Sequence, residues 1–169
     1  MSTVLHGTAT TLRPATTDDT AVFATILAEP EVARWWPRYD ATRITEDLIK
    51  SAATNCFAVE HEGEVTGAIL YVEEPSLDYR HATIDVFLHP GWHGKGLGTD
   101  AVRTMARHLV HDRGHHRLAI DPAADNEPAI RTYERVGFRR VGVLREYERG
   151  ADGEWHDCLL MDLLKRELQ

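Results

Sequence analysis

The run His93-Gly94-Lys95-Gly96-Leu97-Gly98-Thr99 has the residue types and spacing to hold an anion. Glycines at alternate positions leave successive backbone N–H groups uncovered by side chains. The run lies between a strand-like apolar stretch, Ala82 to Leu88, and a helix-like one, Ala101 to Val110. A helix opening directly behind the glycines aims its free N–H groups and its positive dipole end at the same point. Such a cradle takes a phosphate or pyrophosphate, and Lys95 adds a mobile positive charge. A second chemical residue is Asp85, which interrupts the apolar stretch Ile84-Asp85-Val86-Phe87-Leu88. A carboxylate is seldom placed in a central strand without a task or a partner. Asp85 is therefore either functional or half of an ion pair in the sheet, with Arg80 or Arg117 as candidate partners.

Two familiar phosphate loops do not fit. The loop of nucleotide triphosphatases needs Gly-Lys-Ser/Thr, whereas Lys95 is followed by Gly96. The dinucleotide fingerprint is met only loosely, by Gly96-Leu97-Gly98-Thr99-Asp100-Ala101 with Asp121 about 20 residues further on. That fingerprint comes directly off a strand in a repeated β-α-β unit. Here His89-Pro90-Gly91-Trp92-His93 intervenes, and the upstream half reads as hairpins. The run resembles instead the acetyl-CoA loop of the GNAT superfamily of N-acetyltransferases, Gln/Arg-x-x-Gly-x-Gly/Ala. It reads His93-x-x-Gly96-x-Gly98, with His93 in place of Gln or Arg. The stretch from Asn126 to Phe138 resembles the superfamily's second cofactor block, Asn-x-x-Ala-x-x-x-Tyr-x-x-x-Gly-Phe, through Asn126, Ala129, Tyr133, Gly137 and Phe138.

The resemblance implies acetyl-CoA as cofactor. It is held by Phe87 and Leu88 on the strand edge, by His93, Gly94, Lys95, Gly96, Leu97, Gly98 and Thr99, and by Asn126, Ala129 and Tyr133. It also implies transfer of the acetyl group to an amine, with Tyr133 as general acid at the departing sulfur and Asp85 as acceptor-side base. Tyr133 read without the resemblance is a helix aromatic that packs in a core. The aminoglycoside 6′-N-acetyltransferases are similar in detail: an Ile-Asp step in this strand, the Gly-Lys-Gly-Leu-Gly-Thr loop, an Asp-Pro step shortly before an Asn, and a paired-Trp segment. Here those are Ile84-Asp85, residues 94–99, Asp121-Pro122 before Asn126, and Trp35-Trp36. The acceptor implied is a small cationic amine, with the 6′-amine of an aminoglycoside as the best guess. A protein N-terminus, a siderophore precursor or another metabolite amine is the alternative. A non-catalytic acyl-CoA-binding module is the other, and Tyr133 with Asp85 speaks against it. Trp35, Trp36 and Asp121 are candidates to line the acceptor site, with Asp85. Glu73, Glu74 and Asp78 would add negative charge at its rim; as plain residues they form a solvated hairpin tip.

Composition narrows the class. The chain has 169 residues, enough for one domain over 1–169 with a buried core. It is 43% hydrophobic and 27% charged, ordinary for a globular protein. Its net charge of −8 disfavours nonspecific binding to nucleic acid and favours cationic partners. No apolar run approaches the ~20 residues of a membrane span. The first residues lack the basic start and apolar core of a signal peptide. Cys56 and Cys158 match no metal or redox spacing and read as reduced thiols of a cytoplasmic protein. The ten histidines offer no metal-binding pattern, and His115 and His116 read as exposed. A monomer or homodimer is expected.

The elements that must position these residues follow from periodicity and punctuation. Strands are predicted over Thr8–Pro14, Cys56–His61, Val65–Val72, Ala82–Leu88 and Leu118–Asp121. Arg140–Glu148 and Trp155–Leu164 make a closing hairpin. Helices are predicted from the Thr17-Asp18-Asp19 cap, over Thr42–Ala52, over Thr99–Asp112, and from Asn126 to Gly137. This order is α+β with one parallel crossover at the glycine loop. The resemblance implies the GNAT fold: a mixed, mostly antiparallel sheet, flanked by helices and splayed at the cofactor cleft.

Overall fold

The computed structural model describes residues 3–169. Eight strands form one sheet: β1 (Leu5–His6), β2 (Thr11–Pro14), β3 (Asn55–His61), β4 (Glu64–Glu73), β5 (Ala82–Leu88), β6 (Arg117–Ile120), β7 (Arg139–Arg149) and β8 (Trp155–Leu164). Their spatial order is β1-β2-β3-β4-β5-β6-β8-β7. Every neighbouring pair is antiparallel except β5 and β6. Five helices flank the sheet: α1 (Thr20–Ala28), α2 (Pro30–Ala33), α3 (Ala41–Arg43, continued as a π-helical turn over Ile44–Ile49), α4 (Leu97–His111) and α5 (Glu127–Val136).

Strand alternation divides the core between the two faces. In β4, Ala68 and Leu70 pack with Phe23, Ile26, Ile44 and Leu48 from the α1–α3 layer. Ile69 and Tyr71 pack with Met105, Leu109 and Ile130 from the α4–α5 layer. Helix α4 presents Leu97, Ala101, Met105 and Leu109 at four-residue spacing, which makes one apolar stripe, and all four are buried. Helix α5 is bounded by local chemistry. The Asn126 side chain accepts from the Ala129 N–H at 3.4 Å. Gly137 ends the helix at φ +119, with its N–H on Tyr133 and Glu134 carbonyls.

The parallel pair is short. It joins Ala82 to Leu118 and Thr83 to Ala119, then stops. Past Ile120 the chain follows β8 instead: Pro122 C=O accepts from Leu159 N–H at 2.8 Å, and Ala124 N–H donates to Asp157 C=O at 2.9 Å. Pairing with β8 draws residues 121–124 away from β5, and a cleft opens between the two strands.

Three expectations are corrected. The opening strand is shorter, because the N–H groups of Thr8, Ala9 and Thr10 turn onto the Asp100 carboxylate at 2.9–3.0 Å instead of a neighbouring strand. The second helical stretch begins earlier, at Ala41, and ends at Ile49. His115 is 1% exposed rather than at the surface, held by Glu73 at 2.8 Å.

Candidate active site

The cleft between β5 and β6 has a volume of about 1280 Å³. One half is walled by Gly94, Gly96, Gly98, Ala129 and Thr132, the other by Trp35, Trp36, Asp85, Asp121 and Glu148. Tyr133 lines it as well.

The glycine loop and the start of α4 form the cradle. Gly94 and Gly96 have φ of +74 and +79, a conformation that L side chains rarely adopt. A Cβ at either would meet no atom within 4 Å, so the loop faces open space. The first helical bond is donated by Asp100 N–H to Gly96 C=O at 3.0 Å. Among the described residues, the N–H groups from Gly94 to Thr99 have no acceptor. They sit at the positive end of a 15-residue helix. This surface fits a pyrophosphate. Gly98 differs: a Cβ there would make ordinary contacts, 3.6 Å to Leu88 and to Thr132.

Two loop residues are placed otherwise than expected. His93 lines the cleft, but its Nε2 donates to Leu88 C=O at 2.9 Å, bracing the loop against the end of β5. Lys95 does not line the cleft. Its Nζ lies 4.8 Å over the Trp92 ring, where the aromatic face attracts it.

Opposite the cradle, Asp85 is open to the cleft, and the protein packed around the cleft desolvates it although its surface is reached from the cleft. It has no ion-pair partner among the described residues. Arg80 donates to Arg113 C=O at 2.6 Å, and Arg117 pairs with Asp162 at 3.2 Å. The ion-pair alternative for Asp85 is thereby removed. Burial raises its pKa to about 7, helped by the negative charges of Asp121 and Glu148. Burial also raises Asp121, the nearby Tyr147 phenol opposes this, and the charge of Glu148 adds to it. Tyr133 is 7% exposed, and its hydroxyl has no partner among the described residues. Burial, then Asp85 and Asp121, push that phenol above its ordinary range, so it stays protonated at neutral pH.

The aromatic residues close the other side. Trp36 packs on Phe87 with ring centroids 5.1 Å apart. Trp35 carries the Arg34 guanidinium at 4.3 Å from its ring centroid. Arg38, at φ +63, donates to Gly150 C=O at 2.8 Å and Arg149 C=O at 2.9 Å. It ties the tryptophan loop to the β7–β8 turn and narrows the mouth.

Glu73, Glu74 and Asp78 are not in this cleft. Glu73 ends β4 and is taken by Arg113 at 2.9 Å and by His115. Glu74 accepts from Ser76 N–H at 2.9 Å. Asp78 lines a separate hollow of about 250 Å³ with Tyr79 and His116. The cleft instead gains Glu148, which sequence reasoning missed, together with Tyr147 and Tyr39. Glu148 accepts a bond from Cys158 Sγ at 3.5 Å. The β7–β8 register slips between Leu144 and Glu148, and Glu146 sits at φ +48. That bulge carries two extra residues and lets the consecutive Tyr147 and Glu148 both line the cleft, which strict alternation does not anticipate.

Residues 10–139 match the family described as Acetyltransferase (GNAT) domain. Aminoglycoside N(6′)-acetyltransferase type 1 of Klebsiella pneumoniae is 26% identical over 155 residues, covering 79% of this chain and 76% of that one. Spermidine N(1)-acetyltransferase of Escherichia coli (strain K12) is 26% identical over 162 residues, covering 92% and 86%. Among solved structures, Mycobacterium smegmatis RimJ in complex with CoA-disulfide superposes with a TM-score of 0.85 and 26% identity, covering 99% of this chain and 88% of that one. Cradle, cleft and family match agree: this chain belongs to the GNAT acetyltransferases, and acetyl-CoA is its acyl donor.

Proposed function

We propose that the chain acetylates a primary amine of a small cationic acceptor, best the 6′-amine of an aminoglycoside, by direct attack on the thioester. The observation that carries this is the group of three carboxylates, Asp85, Asp121 and Glu148, lining the acceptor half of the cleft without an ion-pair partner among the described residues. Unpaired carboxylates in a confined cleft call for a cation. Trp35 and Trp36 offer the flat faces that suit sugars and cations. The aminoglycoside acetyltransferase relative supports the same acceptor.

Acetyl-CoA supplies the thioester carbonyl. The cradle from Gly94 to Thr99 holds its pyrophosphate, and Phe87, Leu88, Asn126 and Ala129 line the path of the pantetheine arm. Past Thr83 the edge of β5 has lost its partner strand, so its backbone can offer N–H groups to the carbonyl oxygen. The amine arrives as an ammonium with a pKa of about 10 and must lose a proton before it can attack. Asp85, with a pKa of about 7, accepts that proton. Tyr133 donates its phenolic proton to the departing thiolate. Asp121 and Glu148 hold the remaining positive charge of the acceptor. Direct attack is supported by Cys158, the one cysteine lining the cleft among the described residues. Burial, followed by Glu148, raises its thiol to about 12, so it is no thiolate nucleophile at neutral pH.

A second acceptor, the N-terminus of a polypeptide, is favoured by Arg34, Arg38 and Arg149. They line the cleft without carboxylate partners among the described residues and suit an acceptor with acidic groups beyond its amine. A thiol-release assay separates the two. Kanamycin- or tobramycin-like compounds bearing a 6′-amine are compared with matched 6′-hydroxyl compounds and with short peptides. Turnover confined to the 6′-amine set supports the first acceptor. Equal turnover of both aminoglycoside sets moves the reaction to another amine, and turnover of peptides alone gives the case to the second.

A further inference from the structure

Arg135 lines the cofactor half of the cleft and is assigned no partner by anything above. Pro128, Thr132 and Arg135 lie at i, i+4 and i+7 of α5, on one helical face, and all three line the cleft. Thr132 faces Gly98, so it marks the level of the cradle. Arg135 stands one turn beyond it, about 4.5 Å along the helix. Arg103 of α4 reaches the same place and donates Nη2 to Arg135 C=O at 3.3 Å. The Arg103 guanidinium is thus bonded to the backbone of Arg135 where α4 and α5 converge past the cradle. Nearby arginines are neutralised: Arg139 pairs with Glu167 at 3.3 Å and Arg140 with Glu134 at 2.7 Å. Arg103 and Arg135 have no carboxylate partner among the described residues. In a chain with net charge −8, these two arginines lack a counterion.

The other arginines lining the cleft, Arg34, Arg38, Arg43 and Arg149, belong to the acceptor half, and Lys95 is turned onto Trp92. Arg135 is therefore the arginine available to the cofactor half. Coenzyme A carries a second anion besides its pyrophosphate, the 3′-phosphate on the ribose. That ribose follows the pyrophosphate directly, on the side away from the thioester. With the thioester near Asp85 and Tyr133 and the pyrophosphate in the cradle, the 3′-phosphate would lie beyond the cradle, on the side that Arg135 lines.

We propose that Arg135, backed by Arg103, is a phosphomonoester subsite for the 3′-phosphate of coenzyme A. A guanidinium fork takes a phosphate through two parallel hydrogen bonds, which a lysine cannot reproduce. The subsite makes the chain select free coenzyme A thioesters over acyl groups on a bare phosphopantetheine arm, such as that of a carrier protein. Those donors lack the ribose and its phosphate.

The test is calorimetric titration of the full chain with CoA and with 3′-dephospho-CoA, which needs no acceptor. Wild type is expected to bind CoA about ten- to a hundredfold more tightly. Arg135→Gln is expected to bind both ligands equally, at the wild-type level for dephospho-CoA. Arg135→Lys should recover only part of the preference. Equal binding of the two ligands by wild type overturns the proposal, as does a preference that survives in Arg135→Gln. The cradle is tested separately, because Gly96→Val should weaken both ligands alike. Activity with acetyl-phosphopantetheine equal to that with acetyl-CoA at the same low concentration also overturns the proposal.

Discussion

Asp85 is raised into the neutral range chiefly by desolvation in the cleft, and then by the charges of Asp121 and Glu148. A carboxylate at its ordinary pKa would be a weak acceptor for an ammonium proton; one near 7 matches the working pH. The base works only when ionised, so kcat/KM is expected to rise with pH through about 7, far from the acceptor's own titration. Asp85→Asn should remove that limb and lower kcat by at least about a hundredfold. Glu148→Gln removes one of the charges that raise Asp85. The limb should then move to lower pH, and a limb that stays in place would show that Glu148 does not act on Asp85. Tyr133→Phe keeps the ring in its packing against Phe138. Its kcat should fall about 10²–10⁴-fold with CoA affinity held. A change within about twofold would mean that the thiolate leaves without this proton. Asp121→Asn should chiefly raise the acceptor KM.

At the scale of the element, the cradle is a backbone device, and its glycines are not equivalent. Gly96 has a positive φ and faces open space. Valine there strains the turn and would put methyl groups in the proposed phosphate cradle, so Gly96→Val should abolish CoA binding with circular dichroism unchanged. Gly98→Ala places its methyl in ordinary contact with Leu88 and Thr132, so the fold should tolerate it. Helix α5 depends on its first residue. Asn126→Ala should lower stability by about 1 kcal/mol, the usual cost of a lost N-cap, measurable by urea unfolding. The bulge at Glu146 is a different device: two extra residues in an edge strand let the consecutive Tyr147 and Glu148 both line the cleft, where a regular strand would turn one of them away.

Across the whole molecule, two carboxylates, buried Asp100 and half-buried Glu73, tie distant segments together. Asp100 gathers the turn from Thr8 to Thr10 onto α4, just behind the cradle. Glu73 joins the end of β4 to the loop that leads into β6, through Arg113 and His115. Chiefly through its bonds to Arg113, and then to His115, its pKa is lowered to about 2. An unfolded chain would titrate it at about 4.3. A depressed carboxylate stabilises the fold above the unfolded pKa and loses that effect as pH falls through the folded one. The Tm gap between wild type and Glu73→Gln is therefore expected in full at pH 6 and should close between about pH 4 and 2. A gap of the same size at pH 2 would assign it to packing instead of charge.

Short-range chemistry was legible in the residues themselves. The glycine loop, the Asn126 cap, the Gly137 stop and the strand Ala82–Leu88 each depend on neighbours a few positions away, and the structure has each where periodicity and punctuation put it. Asp85 and Tyr133 were legible too, one as a carboxylate in an apolar strand and the other at a fixed place in the second block. What only the tertiary structure decided is which charges meet. Glu73 faces Arg113 and His115 across 40 and 42 positions, which takes it out of the acceptor rim and buries a histidine expected at the surface. Tyr147 and Glu148 line the cleft together because a bulge interrupts alternation between them and Leu144. Arg103 reaches the Arg135 backbone because two helices pack through a glycine. Charged side chains carry no periodic mark of their partners, and ion pairs form wherever the folded chain brings opposite charges within reach.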